Sequence, residues 1–118
     1  MKISESAEMY LETILVLSKK GDVHAIDIVR AMNFSRPTVS VAIHNLEKEK
    51  LLKISDEDHI TLEPAGLEIA EKIYERHTVL TSLLIKLGVS ENIAAKDACK
   101  IEHDISDETF ECIKNHIS

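Results

Sequence analysis

The sequence predicts a mainly α fold: a winged helix-turn-helix lobe over residues 1–63, followed by an all-helical lobe over residues 64–118. Three observations predict it. Only three Gly and two Pro interrupt 118 residues, and aromatics make up 3%, so long stretches lack any helix breaker. Apolar residues recur at helical spacing through most of the chain. That spacing gives way to alternation at one place, just after Leu51. At 44% hydrophobic residues, a chain of this length can fill one core, divided at most between two small lobes.

The first helix runs from Ser4 to Ser18, with Ala7, Leu11, Ile14, Leu15 and Leu17 at helical spacing and Gly21 as its stop. DVHAIDIVRAMNF predicts a short second helix, whose Ile26, Ile28, Val29 and Met32 can face a core and whose end falls at Asn33. SRPTVSVAIHNLEKEKLL opens a third, with Ser35 as N-cap and Pro37 in the first turn, where a missing N–H costs nothing. Val39, Ile43 and Leu46 carry its buried face. A turn of about three residues between the second and third helices is the helix-turn-helix spacing. LLKIS and HITLE then alternate apolar and polar residues around the acidic Asp56-Glu57-Asp58, which predicts a two-stranded hairpin, or wing. A long helix follows over residues 63–88, bounded by Pro64 and Gly88, with an apolar set (Leu67, Ile69, Ala70, Ile73, Leu80, Leu83, Leu84) wide enough for more than one neighbour. Two last helices are expected near residues 90–104 and 106–117, capped by Ser90 and Ser106. The second lobe has little core of its own and is expected to form a homodimer.

The formal charge is −7, which excludes a chain that coats nucleic acid nonspecifically through bulk cationic charge. The deficit is local. Residues 1–50 hold seven Lys/Arg against seven Asp/Glu, and residues 51–118 hold seven against fourteen, so a DNA-facing surface belongs in the first half. No apolar run approaches the roughly 20 residues that cross a bilayer, and MKISESAEMY lacks the pattern of a signal peptide. No membrane partner is expected, and the expected location is cytoplasmic, which makes Cys99 and Cys112 free thiols.

The start of the third helix is chemically suited to reading DNA. Recognition helices present their N-terminal residues to base edges in the major groove, and here Ser35, Arg36, Pro37, Thr38 and Ser40 are small, hydrogen-bonding or, for Arg36, cationic. Pro37 and the Thr38 methyl suit thymine methyls; the hydroxyls suit phosphates or bases. Pro37 serves helix initiation equally well, and both roles can hold at once. The wing is less suited, because Asp56, Glu57 and Asp58 repel phosphate. Its tip is expected to stay off the DNA, or the affinity to be modest. A homodimer would set two recognition helices about one DNA turn apart, on a palindromic double-stranded operator.

DACKIEHD places Cys99, Glu102 and His103 at i, i+3 and i+4, on one helical face that could offer a thiolate, a carboxylate and an imidazole to one ion. Taken alone, such a face is also ordinary surface chemistry. Met9 and Glu12 lie three residues apart on the first helix, and His77 lies within the long one. The other histidines, His24, His44, His59 and His116, show no partner pattern and are expected to be solvated.

Together, SAEMYLETI, SRPTVSVAIHNLEKEKLL, LEPAGLEIAEKIYERH and DACKIEHDISDE resemble the metal-dependent repressors typified by the diphtheria toxin repressor, the iron-dependent regulators and the manganese transport regulator. The resemblance spans almost the whole chain, in order. It implies a transcriptional repressor, not an enzyme, in a short form without the SH3-like domain. It assigns Met9, Cys99, Glu102 and His103 to the iron-type primary site, and Glu12 and His77 to the manganese-type pair of sites. The chain departs from both patterns: the manganese type has aspartate at Met9 and glutamate at Cys99, and the iron type's ancillary glutamate and histidine are matched by Thr81 and Ala95. Ligand softness bears on the metal independently. Thioether and thiolate disfavour Mn(II) relative to Fe(II), Co(II), Ni(II) or Zn(II). The expected corepressor is a divalent transition metal, Fe(II) first and Mn(II) as the alternative, with Co(II), Ni(II) or Zn(II) as surrogates in vitro; no organic small-molecule substrate is expected.

Two other functions compete. A metalloenzyme needs an open coordination position and a base in a substrate-sized pocket, and no separate base or long loop is present to build one. A thiol-redox sensor would pair Cys99 with Cys112, thirteen residues away on a different helix.

Overall fold

The computed structural model describes residues 4–117; Met1 to Ile3 and Ser118, which fall inside the expected lobes, lie outside the described residues. Two compact units are present, Met1–Glu71 and Lys72–Ser118.

In the first unit, helix α1 (Glu5–Ser18) starts where the Ser4 hydroxyl accepts the Ala7 N–H at 3.1 Å, satisfying one of the orphan donors of the first turn. Tyr10, Leu11, Ile14 and Leu15 form its buried stripe. Gly21, at φ +149, takes the chain through a turn into strand β1 (Val23–His24). Helix α2 (Ala25–Met32) follows, with the Asp27 carboxylate accepting the His24 N–H at 2.9 Å. It ends at Asn33, whose φ of 58° and ψ of 40° are left-handed; asparagine tolerates that region better than most residues. After the three-residue turn, α3 (Arg36–Lys48) starts with the Ser35 hydroxyl accepting the Thr38 N–H at 3.2 Å and Pro37 in its first turn. Val39, Ile43 and Leu46 are its buried residues, as their spacing predicts.

The wing departs from expectation. β2 (Leu52–Ile54) and β3 (His59–Leu62) form the hairpin, with Leu52 opposite Leu62 and Ile54 opposite Ile60, but β1 joins them in a three-stranded sheet of order β1-β3-β2. Val23 and His24, expected inside the second helix, are strand residues paired with Ile60 and His59. Val23 is 1% exposed, so pairing on β3 goes with burial of an apolar side chain outside the core-facing set of the second helix. At the hairpin turn the Ser55 hydroxyl accepts the N–H groups of Glu57 (3.3 Å) and His59 (3.1 Å).

Helix α4 (Pro64–Lys86) begins in the first unit and continues into the second. Its first turn lies against Leu51: a Cβ on Gly66 would sit 2.0 Å from the Leu51 carbonyl oxygen. It ends on Gly88, at φ +105, with paired bonds from the Gly88 N–H to Ile85 O and the Val89 N–H to Leu84 O, both 3.0 Å, the hydrogen bonds of a Schellman motif. In the second unit, Ile73 and Leu80 of α4, Ala94 and Ala98 of α5 (Glu91–Ile101) and Phe110 of α6 (Asp107–Ile117) are buried. Ser106 caps α6 by accepting the Thr109 N–H at 3.1 Å. Ser90 stands at the start of α5 in extended conformation without a side-chain cap bond. No described helix is long and apolar enough to cross a membrane.

Candidate metal centre and recognition helix

DACKIEHD is not one continuous helix. α5 stops at Ile101, Glu102 is its C-cap, and His103 lies in the turn that leads to α6. A physical reason lies on α4. The Arg76 guanidinium, 6% exposed, donates from Nη1 to the carbonyl oxygens of Glu102 (3.1 Å) and Ile105 (2.8 Å). The Glu102 carbonyl is thus satisfied without a further turn of helix. Arg76 Nη2 pairs with the Asp107 carboxylate, and the guanidinium carbon lies 5.4 Å from the Phe110 ring centre. Lys72 stands 3.1 Å from the same carboxylate. Its hydrogen bond, followed by its charge and then by Arg76, holds the Asp107 carboxyl below the usual aspartate range. Arg76 therefore fixes the turn from which Glu102 and His103 project.

Glu102 is the centre of the arrangement. Its side chain is 1% exposed, with Oε2 2.9 Å from His77 Nδ1 and Oε1 3.4 Å from His103 Nε2. A buried carboxylate is costly unless partnered, and here an imidazole stands at each oxygen. Cys99 Sγ, on the exposed side, is 3.7 Å from His77 Nδ1. One ligand atom each from His77, Cys99 and Glu102 fall within 4.8 Å of one another. Imidazole, thiolate and carboxylate at such separations form a donor set that fits a borderline divalent cation, and the exposed Cys99 gives it an approach from solvent.

The structure thus brings together three of the residues singled out from sequence, and sets His103 beside Glu102 on the opposite carboxylate oxygen. Met9, 39% exposed, and Glu12, half-buried, lie three residues apart on α1 in the first unit. Thr81 lines an open recess of about 500 Å³ along α4 with His77, Thr78, Ser82, Ile85 and Lys86, and Ala95 lies half-buried on α5. Cys112 is a free, exposed thiol on α6, and Cys99 is likewise unbridged.

On the recognition helix, Ser35, Arg36, Pro37, Thr38 and Ser40 are all exposed. The Ser35 hydroxyl donates to Thr38 Oγ1 at 2.8 Å, so the cap and its neighbour form one small polar knob. Two further residues share this face. Val41 is 63% exposed, and His44 is exposed with Nδ1 2.7 Å from the Ser40 carbonyl. A carbonyl only accepts, so Nδ1 carries a proton and donates. Their spacing from Pro37, i+4 and i+7, is the signal that could have found them. The turn before α3 is braced by Phe34, whose ring centre lies 6.1 Å from that of Tyr10. Glu57 and Asp58 at the wing tip line an open recess of about 520 Å³ together with Arg36, Ser40 and His44.

Comparison with known proteins agrees with this geometry. Residues 2–60 match the family model for the N-terminal DNA-binding domain of iron-dependent repressors, and residues 63–118 that for their metal-binding and dimerisation domain. An uncharacterised HTH-type transcriptional regulator of Methanocaldococcus jannaschii is 30% identical over 95% of this chain and 92% of its own length. The transcriptional regulator MntR of Escherichia coli O6:H1 is 30% identical over 93% of this chain and 72% of its own. Among solved structures, a manganese-dependent transcriptional repressor in complex with manganese superposes with a TM-score of 0.84 at 24% identity, over 95% of this chain and 52% of its own, a likeness of fold.

Proposed function

Since the chain belongs to the iron-dependent repressor family of metal-dependent transcriptional regulators, we propose that it represses transcription by binding a palindromic operator as a homodimer when Fe(II), or a similar divalent metal, is bound. The observation that carries the metal side of this reading is the His77–Cys99–Glu102 group, with its donor atoms within 4.8 Å. In this reading His77, Cys99, Glu102 and His103 are ligands from the second unit, and Met9 and Glu12 are ligands from α1. Ser35, Arg36, Pro37, Thr38 and Ser40 meet the operator. When bound, the ion would supply the positive charge that these donors share. The chain's own part is to present a buried, preformed carboxylate, with an imidazole at each oxygen, beside an open thiol.

Cys99 and Met9 favour iron, because soft donors disfavour Mn(II). Mn(II) is the second reading, favoured by Glu102, whose two oxygens and two neighbouring imidazoles make an O/N set suited to a harder ion.

Anaerobic operator binding with Fe(II), Mn(II), Zn(II) or no metal, in wild type and Cys99→Ala, tests both. Tight binding only with metal, and a preference that moves from Fe(II) toward Mn(II) in Cys99→Ala, is expected. Full operator binding by the metal-free protein would remove the metal from the mechanism. Linkage adds a check: if metal tightens operator binding by a coupling of about 1–3 kcal/mol, operator must tighten metal binding by the same factor.

A further inference from the structure

A second group of metal-binding side chains lies in the first unit, where β1 meets β3. In the sequence His24 and His59 show no partner pattern and are expected to be solvated; they are partly exposed, but the three-stranded sheet makes them partners. They stand directly opposite one another in the antiparallel register, which puts both side chains on one face with Cβ atoms about 4.5–5.5 Å apart. Their ring centres are 5.9 Å apart and their planes are inclined by 32°. An ion about 2.0–2.1 Å from one nitrogen of each ring would lie roughly 3 Å from each ring centre, so rings sharing an ion have centres about 5–6 Å apart. The observed spacing is within that range.

Each imidazole also has a carboxylate within ion-pair distance of one nitrogen. Asp22 Oδ1 is 3.5 Å from His59 Nε2, and Asp27 Oδ2 is 3.8 Å from His24 Nδ1. Asp27 is itself held in place by the His24 backbone N–H. A carboxylate behind a ligating imidazole orients the ring and raises its basicity. With Asp22 nearer Nε2, His59 would offer Nδ1 to an ion, and with Asp27 nearer Nδ1, His24 would offer Nε2. Both side chains are about two-fifths exposed, at 42% and 39%, so an ion can reach them. Glu57 and Asp58, in the recess that His24 also lines, add negative charge nearby.

We propose that His24 and His59, backed by Asp27 and Asp22, form a second site for an imidazole-preferring divalent ion such as Zn(II), Ni(II) or Cu(II). The site staples β1, at the entry to the helix-turn-helix, to wing strand β3. With two side-chain ligands and the other positions left to water, it binds more weakly than a centre with three or more protein ligands. It therefore fills only when the ion is in excess, and stiffens the wing against the helices it flanks.

The test follows the ring nitrogens of every histidine by NMR in the full chain during a Zn(II) titration. The ring signals of His24 and His59 are expected to shift together, with one common midpoint, after those of His77. His59→Gln should abolish the shift at His24, His24→Gln should abolish that at His59, and Asp22→Asn should weaken the midpoint by about tenfold or more. Both histidines are partly exposed, and unchanged signals from the remaining rings in each variant confirm that it folds. Shifts with different midpoints, a His24 shift that persists in His59→Gln, or no shift at millimolar Zn(II) would each overturn the site.

Discussion

Arg76 is the residue on which the candidate centre most depends without contributing a ligand. It reaches two carbonyl oxygens of the 102–105 turn and the Asp107 carboxylate from a nearly solvent-free position, so the placement of Glu102 and His103 rests on it. Arg76→Met should lower Co(II) affinity, read from the visible absorption bands, by about 10- to 100-fold, the usual cost of losing a group that orients ligands. Arg76→Lys, with a point charge in place of a planar fork, should recover only part of it. Affinity unchanged in Arg76→Met would show that the turn holds itself. Asp107 carries a related pH effect. Its folded pKa is lowered, first by the Lys72 hydrogen bond and also by Arg76. The resulting stability is therefore present above the ordinary value of 3.8 and is lost as pH falls through the lower folded value. Asp107→Asn should flatten the acid limb of the stability curve measured by urea unfolding between pH 5 and pH 3; a limb of unchanged slope would mean the pairing contributes nothing. Cys99, Glu102 and His103 were legible as candidate ligands by their chemistry and spacing, and His77 joined them through the family resemblance. Arg76 was not, because two of its three partners are backbone: no side-chain pattern marks bonds to carbonyl groups 26 and 29 positions away.

At the scale of elements, the caps do much to set where helices begin. The Ser35 hydroxyl accepts the Thr38 N–H at the start of the recognition helix, and Ser35→Ala should destabilise the protein by about 0.5–2 kcal/mol. Chemical denaturation measures this directly, and a loss below a few tenths would mean that Pro37 sets the start alone. Gly66 is a sharper case. Any side chain there meets the Leu51 carbonyl, with a Cβ placed at 2.0 Å; that oxygen also accepts the Glu63 N–H at 3.0 Å. Gly66→Ala should cost about 1–3 kcal/mol or more through forced displacement of the backbone, visible as a lower denaturation midpoint. An unshifted midpoint would show that α4 can slide off Leu51 freely. Such local signals made the helices legible: Ser35 caps the third, Asn33 and Gly88 stop the second and fourth, and the buried residues follow the helical period. Strand β1 was not legible, because two residues carry no period. Val23 and His24 become a strand only because β3 offers them an edge, and that is a tertiary fact. The end of α5 failed for a similar reason, since its terminating partner is Arg76 on another helix.

Across the whole molecule, charge is divided as unevenly as function. The first fifty residues balance, and the net −7 arises from the remainder, which includes the wing tip at Asp56, Glu57 and Asp58. Affinity for DNA comes largely from cations that displace counterions at phosphate, and the second half of this chain supplies an excess of the wrong sign. Glu57 and Asp58 line the same recess as Arg36, Ser40 and His44 of the recognition helix, so on an operator seated against α3 the tip stands near the phosphates. Three negative charges about 10 Å from a phosphate in water each cost about 0.4 kcal/mol before screening, or roughly 1 kcal/mol together. Replacing them by Asn, Gln and Asn should therefore tighten operator binding about five-fold at low salt. Since the Debye length falls from about 30 Å at 0.01 M to 8 Å at 0.15 M salt, most of that gain should vanish at the higher ionic strength. Binding measured for wild type and the triple variant at both salts separates the cases. A gain that is the same at both salts would assign the effect to altered wing structure, and no gain at either would place the tip away from the DNA, leaving recognition to α3 alone.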